Sequence, residues 1–215
     1  MSQIVMSPCQ PINCYPETFT ETIKMAREKG VFMHTHLGEG ENEIMLERFG
    51  KRTLDWAEDI GFAGKDVWYA HCWELSLEEF ARMAKAGTGV SYCPAPAVLG
   101  GHPILPLKKM QELGVTVSLG CDGSATNDSS NLLDTIRMAY IMQCYSSKAQ
   151  GGAVSSYDVL KLATVGGAKT LGRTDIGSLE VGKDADIAIF DGHPFDSMSL
   201  CRCIMIDGVV YNNTL

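Results

Sequence analysis

The sequence contains no run of about 18 apolar residues, which a membrane-spanning helix needs, and no block of lysines or arginines. With a net charge of -8 and a pI near 5.1, this composition argues against nucleic acid or an anionic membrane as a partner. The first residues also lack the basic region of a signal peptide. We therefore expect a cytoplasmic protein.

Several short motifs that identify common sites are also missing. There is no Cys-x-x-Cys pair, no Gly-x-Ser-x-Gly nucleophile elbow and no glycine spacing typical of a phosphate loop. Eight cysteines are present, several of them inside apolar strand-like runs. Because an export signal is lacking, we expect reduced, buried thiols rather than disulfides.

The composition that remains is that of an ordinary globular protein. Apolar residues make up 45% of the chain and the mean hydropathy is -0.01, which excludes a disordered chain. A length of 215 residues allows one good-sized core and a small appendage. It falls short of the roughly 250 residues typical of a complete (β/α)8 barrel.

Short apolar runs alternate with amphipathic segments over the first two thirds of the chain. Continuous apolar strands separated by helices are typical of parallel strands buried on both faces, so the pattern predicts an α/β fold. The predicted strands are residues 4–7, 31–34, 67–71, 88–92 and 115–120, and the predicted helices are residues 16–29, 41–49, 53–60, 77–86, 106–113 and 132–145.

The pattern changes after residue 155. Residues 156–166 and 168–171 read as helices, and a turn-rich passage at 175–186 follows. Three β runs come last, at residues 187–190, 201–206 and 209–211, and Asp207-Gly208 between the last two is a two-residue hairpin signal. The sequence thus predicts a small β element from about residue 178 to the end.

Groups that can bind metal or move protons follow three of the predicted strands. His34-Thr35-His36, taken alone, fits a metal-binding pair or two histidines satisfied by hydrogen bonds at a strand end. His36 is the better ligand of the two because it is closer to the end, and Glu39 in the following loop can handle protons. His34 is expected to have a structural or supporting role.

Two further strand ends favour a site over the structural alternative. His71 ends one apolar run and Asp122 follows another, although a core histidine and a turn or capping aspartate remain alternatives. The carboxyl ends of successive parallel strands are where a (β/α) barrel builds its active site. His102, in a glycine and proline loop, either contacts a ligand or is an exposed loop histidine.

Four motifs together resemble the metal-dependent amidohydrolase superfamily: HTHLGE at residues 34–39, AHC at 70–72, GCDGS at 120–124 and GSLEVGKDAD at 177–186. Within it, the sequence is similar to the aminohydrolase branch of guanine deaminases, chlorotriazine hydrolases and, most of all, 8-oxoguanine deaminases. The resemblance implies a partial (β/α)8 TIM-like barrel, about strands 4–8, over residues 1–177. Residues 178–215 then form the C-terminal β element of a small composite domain.

The resemblance also implies roles for individual residues. His36 is a metal ligand, Glu39 the proton shuttle, His71 the residue that orients the attacking water, and Asp122 both a ligand and the general base. The cofactor implied is a divalent metal, zinc first and iron second, and no substrate-binding residue is assigned. Relatives complete the metal site with a His-x-His pair from the first strand, and this sequence has no such pair before His34.

Two hypotheses about function follow. The first is a metal-dependent hydrolytic deaminase of a purine-like N-heterocycle, of the 8-oxoguanine or guanine type, that releases ammonia. The second is a catalytically incomplete half barrel, a remnant or an assembly subunit. An open half barrel exposes a sheet edge, so a homo-oligomer or a complementing N-terminal half is a possible partner. The loop at residues 92–97, Tyr-Cys-Pro-Ala-Pro-Ala, carries apolar residues where relatives have polar ones.

Overall fold

The chain forms two separate β-sheets, of which the larger is parallel throughout. A computed structural model describes residues 3–150, 154–194, 196 and 198–212. The strands of the larger sheet run side by side in chain order, which confirms the predicted α/β class. They are β1 (Val5–Met6), β2 (Phe32–Leu37), β3 (Val67–His71), β4 (Gly89–Tyr92) and β5 (Val117–Leu119).

Helices connect these strands, as the alternating pattern predicted. They are α1 (Pro16–Lys29), α2 (Asn42–Phe49), α3 (Thr53–Asp59), α4 (Leu77–Ala86), α5 (Pro94–Leu99), α6 (Leu107–Leu113), α7 (Ser124–Asn127), α8 (Leu132–Gln150), α9 (Ser156–Lys161) and α10 (Gly167–Thr170). The bounds predicted for α1 and α4 are confirmed, whereas α8 continues five residues beyond its predicted end. The sequence did not predict α5 and α7.

The predicted helix at residues 156–166 is divided in the structure. α9 gives way to a π-helical turn at Leu162–Gly166, and α10 begins directly after it. A Cβ added to Gly166 would lie 2.3 Å from the carbonyl oxygen of Val117 on β5. The glycine therefore allows this turn to pack directly against the backbone of the sheet, since any other side chain would clash.

Local sequence signals explain where the helices begin and end. In α1 the residues Phe19, Ile23 and Ala26 form the buried face, and Gly30 ends the helix in a left-handed conformation, with φ at 65°. At the start of α4, Ser76 accepts a hydrogen bond from the Glu79 backbone and Glu79 accepts one from Ser76, which confirms the predicted capping box.

The core lies between the larger sheet and its helices. All five residues of β3 are buried, which places this strand at the centre of the sheet. On the helix side Phe19 meets Trp56 and Phe62 edge to face, with ring centroids 5.1 Å apart in both pairs. Such contacts fix the helices against the strands, and so hold the strand ends in place.

The last part of the chain forms a three-stranded antiparallel sheet, β6 (Ile187–Phe190), β7 (Cys201–Ile206) and β8 (Val209–Asn212). Asp207 and Gly208 join the last two strands with φ angles of 49° and 75°, so the predicted two-residue hairpin is confirmed. The division of the chain between residues 177 and 178 stays a prediction.

Two further features can be compared with the sequence. All eight cysteines are free thiols, as expected, but only Cys72 and Cys93 are buried, so the expectation of burial is wrong for the other six. In the part of the chain that the structure describes, no helix is both long and apolar enough to cross a membrane.

Candidate metal centre

The carboxyl ends of β2 and β3 bring three of the candidate residues together. The two strands pair so that His36 lies opposite Ala70 and Leu37 opposite His71. The Nδ1 atom of His36 is 2.8 Å from Nε2 of His71. The Glu39 carboxylate is 3.5 Å from the former atom and 3.4 Å from the latter. Two imidazoles and a carboxylate therefore converge on one point.

The chemistry of this group fits a divalent cation. The donor atoms of His36, Glu39 and His71 all lie within 4.8 Å of one another. Zinc is bound in proteins by imidazole nitrogens and carboxylate oxygens, and the same donors suit iron. The separation of 2.8 Å between the two imidazole nitrogens is that of a hydrogen bond, in which one ring donates a proton and the other accepts it.

The protonation of the two histidines is set by different causes. The hydrogen bond to Glu39 raises the pKa of His36 above its usual value, against the opposing effect of burial. Burial lowers the pKa of His71, although Glu39 favours its charged form. His71 is fully buried, so the neutral imidazole, which can donate one hydrogen bond and accept another, is its preferred form.

The backbone is strained at two of the strand ends. His71 has a φ of 72° and Cys72 a φ of 64°, and Asp122 after β5 has a φ of 62°. Residues other than glycine rarely adopt this left-handed conformation, which costs about 1–3 kcal/mol for each residue when the surroundings impose it. Strain of this kind concentrates at functional sites, so it supports a site at the ends of β3 and β5.

A buried glutamate shapes the loop that carries Glu39. The carboxylate of Glu41 accepts hydrogen bonds from the backbone N–H groups of Gly38, at 2.5 Å, and of Glu39, at 2.6 Å. Only 1% of Glu41 is exposed, and burial raises its pKa while these backbone bonds lower it. Gly38 has a φ of 69°, and a Cβ there would lie 3.2 Å from the Cα of Cys72. The loop is therefore fixed by its hydrogen bonds to Glu41 and by the close packing of Gly38 against Cys72.

Asp122 lies across a cavity from His36. The cavity has a volume of about 200 Å³ and is also lined by His34, Ser91 and Cys93. In the structure one Asp122 oxygen accepts from its neighbour Gly123, at 2.7 Å, and the other from the Thr126 hydroxyl, at 3.1 Å. Asp122 thus lines the same cavity as His36 but is not one of the three residues whose donor atoms converge, and its predicted roles as ligand and base stay predictions.

Two of the other three histidines, His34 and His102, have aromatic partners in the structure. The ring of His34 stacks on Trp68, with centroids 5.4 Å apart, and burial lowers its pKa to about 4. His102 is exposed on one side but stacks on Trp73, with centroids 4.5 Å apart. The edge of Trp73 in turn meets His71 at 4.7 Å. His34 thus lines the cavity without joining the metal group, and His102 contacts the site through Trp73.

Sequence reasoning missed Glu41, Trp73 and the helix α5. Neither Glu41 nor Trp73 belongs to a motif that the sequence singles out. The sequence predicts a loop at Pro94 and Pro96, although proline is common in the first turn of a helix, and the structure has α5 there. Only Pro94 at the helix start could have signalled α5.

Together, five parallel strands with polar groups at their carboxyl ends are typical of a partial (β/α) barrel with a candidate metal site. The profile of the amidohydrolase family matches residues 1–213. The chain belongs to the amidohydrolase family.

Individual relatives agree with this assignment. Hydroxydechloroatrazine ethylaminohydrolase of Pseudomonas sp. (strain ADP) is 49% identical over 89% of this chain and 40% of its own length. The 8-oxoguanine deaminase of Pseudomonas aeruginosa is 35% identical over 97% of this chain and 48% of its own. A mutant atrazine chlorohydrolase of Arthrobacter aurescens TC1, solved with zinc and atraton, has a TM-score of 0.88 and 30% identity over 96% of this chain and 49% of its own.

The chain spans about half the length of the relatives it matches. The partial TIM-like barrel implied by the sequence is therefore confirmed as part of a larger fold, with five of the parallel strands present here.

Proposed function

We propose that this chain supplies half of the active site of a metal-dependent aminohydrolase, which removes an amino group from a purine-like N-heterocycle by hydrolysis. The observation that carries the proposal is the convergence of His36, Glu39 and His71 at the ends of two paired strands. Relatives named as deaminases and aminohydrolases support the reaction class. A cytoplasmic location is part of the same proposal.

His36 and Asp122 would hold the cation, zinc first and iron second, because they face each other across one cavity. A divalent metal bound there supplies Lewis acidity, which makes water acidic enough to act as a nucleophile near neutral pH. His71 lies against His36 and is fully buried, so its position is well defined. Its role is to orient the attacking water by a hydrogen bond.

The carboxylates of Asp122 and Glu39 carry out the proton transfers of the reaction. In the reaction the water oxygen bonds to the ring carbon and the bond from that carbon to the exocyclic nitrogen breaks. Asp122 accepts a proton from water, and Glu39 delivers a proton to the substrate, so the amine leaves as a neutral molecule. Glu39 fits this role because its loop is fixed by Glu41 while its carboxylate is half-buried.

The substrate proposed first is a purine of the 8-oxoguanine or guanine type. The similarity to an 8-oxoguanine deaminase along 97% of the chain supports this choice. An ethylamino-substituted triazine is the second candidate, because the relative with 49% identity is named for removing an ethylamino group. The apolar side chains of α5 favour it as well.

A complementing polypeptide is the partner proposed for activity, and a homo-oligomer is the alternative. The experiment co-expresses this chain with the part of the Pseudomonas hydroxydechloroatrazine ethylaminohydrolase that lies outside the match, giving what we term the complemented enzyme. The complex is loaded with zinc and amine release is measured from 8-oxoguanine, guanine, ammeline and N-ethylammeline. Ammonia or ethylamine release that requires Glu39 is the expected result. A stable, zinc-loaded complex without any turnover would instead favour a non-catalytic subunit.

A further inference from the structure

A second cavity, with a volume of about 330 Å³, lies beside Glu39. We term it the Trp73 cavity, and its lining also includes side chains of Trp73, Pro96, Leu99, His102 and Thr126. Glu39 belongs to the candidate metal centre as well. A ligand in the Trp73 cavity therefore lies next to the carboxylate that we propose as the proton donor.

The indole of Trp73 contacts two imidazole rings, which fix its position. The His102 ring lies almost parallel to it, at 11°, with centroids 4.5 Å apart, and the His71 ring meets it at 61° and 4.7 Å. A Cβ added to Gly100 would lie 2.5 Å from Cδ2 of His102, so the His102 ring packs directly on the glycine backbone. The indole therefore forms a flat and well-defined wall of the cavity.

The indole nitrogen of Trp73 lacks a hydrogen-bond partner in the described part of the chain. Trp73 is 6% exposed, and its Nε1 is buried without an acceptor there. An indole nitrogen can only donate, and buried tryptophan N–H groups usually have a partner. Because Trp73 borders the cavity, a ligand in the cavity is the group placed to accept this hydrogen bond.

The polar groups of the cavity are complementary to one edge of a cyclic amide. Glu39 can accept a hydrogen bond and Trp73 can donate one, and both contact His71. The hydroxyl of Thr126 is already hydrogen bonded within the chain. A cyclic amide carries a carbonyl oxygen and an N–H group side by side, so one edge of a ligand can serve both residues. An anionic acceptor would instead be repelled by the nearby carboxylate.

We infer that Trp73 determines substrate specificity, because its indole N–H donates to an oxo oxygen on the ring carbon next to the nitrogen that faces Glu39. This inference rests on the proposed function and adds a residue that selects the substrate. A heterocycle without that oxygen leaves Nε1 of Trp73 unpaired. A site built to donate a hydrogen bond rejects an analogue that cannot accept it.

The test compares isocytosine with 2-aminopyrimidine, which lacks the oxo oxygen and the ring N–H beside it. Binding to the purified chain is followed by NMR of the indole N–H groups, of which the chain has three. Isocytosine is expected to shift the Trp73 signal downfield in a saturable manner, because the N–H becomes hydrogen bonded. It should bind about tenfold more tightly than 2-aminopyrimidine. The Trp73 signal is assigned by its absence in Trp73→Phe.

Trp73→Phe keeps an aromatic ring against His71 and His102 but removes the donor. It should reduce the preference for isocytosine to about twofold or less, with little change in the affinity for 2-aminopyrimidine. Trp56→Phe is the matched control, because Trp56 is also 6% exposed and lies on α3, where it packs against Phe19 outside the cavity. It should keep the preference of the original chain. Melting temperatures show whether both variants are folded.

The inference is overturned by a Trp73 signal that does not move as isocytosine saturates the chain, since water and not the substrate would then pair with Nε1. Equal affinity for the two pyrimidines, a preference that survives Trp73→Phe, or no saturable binding of isocytosine would also overturn it. The shift is measured on the original chain, so the inference can fail even if Trp73→Phe does not fold. The signal is then assigned by difference from Trp56→Phe and Trp68→Phe.

The two proposals fail differently. Amine release by the complemented enzyme that depends on Glu39, with a preference for isocytosine that Trp73→Phe does not reduce, would overturn the role of Trp73 and leave the proposed function standing. A downfield shift and a tenfold preference in binding, without turnover of any heterocycle, would overturn the proposed function and leave Trp73 as a binding residue.

Discussion

The two sheets of this chain differ in how they are covered. Every residue of β3 in the five-stranded sheet is buried. In the three-stranded sheet β8 is exposed along its whole length, and apolar residues of β7 such as Ile204 and Ile206 face outward. Since apolar burial is the main source of stability, the stability of the described part of the chain is concentrated in the five-stranded sheet and its helices.

This difference explains where the candidate site is found. The left-handed residues His71, Cys72 and Asp122 all follow strands of the packed sheet. In the three-stranded sheet the residue Asp207 also has a positive φ, but it lies in an exposed two-residue hairpin turn, where that conformation is usual, whereas at a packed strand end the surrounding contacts impose it. The comparison predicts that substitutions in the packed region have large effects on activity or on the free energy of unfolding. Substitutions in the β6–β8 sheet should have small effects on both.

The largest effect is expected at Glu39. In the complemented enzyme, Glu39→Gln should lower kcat about 100- to 10,000-fold, because a general acid–base group is lost, while the zinc content is retained. Asp122→Asn should lower both activity and zinc content, since an amide is a poorer ligand and no base at neutral pH. Steady-state kinetics and elemental analysis measure both. If Glu39→Gln lost the zinc and Asp122→Asn kept full activity, the roles assigned to these carboxylates would be reversed.

Core and surface substitutions test the comparison directly. Leu54 of α3 is fully buried, and Leu54→Ala should lower the free energy of unfolding by about 2–5 kcal/mol. Ile204 of β7 is 44% exposed, and Ile204→Ala should cost less than about 1 kcal/mol. Urea denaturation of the purified chain measures both. An equal cost at Ile204 would mean that the β6–β8 sheet is covered in solution, for example by a second copy of the chain.

Much of the packed region could be predicted from sequence because its signals are local. Continuous apolar runs gave the strands, Gly30 ended α1, and Ser76 with Glu79 marked the start of α4. The π-helical turn could not be predicted in this way. It depends on the close approach of Gly166 to the β5 backbone, which only the folded chain brings about.

The candidate site shows the same limit. His36, Glu39 and His71 were identified because each lies at or just after a strand end, and parallel strand ends meet at one edge. Glu41 and Trp73 could not be predicted, because their roles depend on contacts that no spacing in the sequence indicates. Glu41 accepts hydrogen bonds from two backbone N–H groups, and the ring of Trp73 contacts the ring of His71.

Glu41 offers a smaller but more specific test of the packed region. Glu41→Gln keeps the size of the side chain but replaces one accepting oxygen with a donor, which would face the N–H of Gly38 or Glu39. We expect kcat of the complemented enzyme to fall about 10- to 100-fold with little change in KM, because Glu39 is misplaced rather than removed. The exposed neighbour Glu43 is the control, and Glu43→Gln should have no effect. A loss of stability with unchanged kcat would make Glu41 merely structural.

A modest effect is expected at Glu79, a buried carboxylate at the start of α4. Its carboxylate accepts two hydrogen bonds from Arg52, at 2.8 and 2.9 Å, and one from the backbone of Ser76. Burial of Glu79 opposes ionisation, but these bonds outweigh it and hold the pKa of Glu79 below its usual value of 4.5. Glu79→Gln should therefore lower the free energy of unfolding by about 1–2 kcal/mol at neutral pH.

The pH dependence of the stability lost in Glu79→Gln separates the ionic contribution of the carboxylate from contributions that do not depend on its charge. A carboxyl whose pKa is lowered by folding stabilises the protein above the pKa of the unfolded chain, and this stabilisation is lost as the pH falls through the folded value. The difference between the original chain and Glu79→Gln should thus be largest near pH 7 and should shrink steadily below pH 4.5. Glu78→Gln is the control, because it removes the same charge from the same helical turn, at a site exposed to solvent. Urea denaturation at several pH values measures both variants. A loss at Glu79 that did not vary with pH would show that hydrogen bonds independent of the carboxylate charge cause it, and that the Arg52 pair contributes no ionic stabilisation to the packed region.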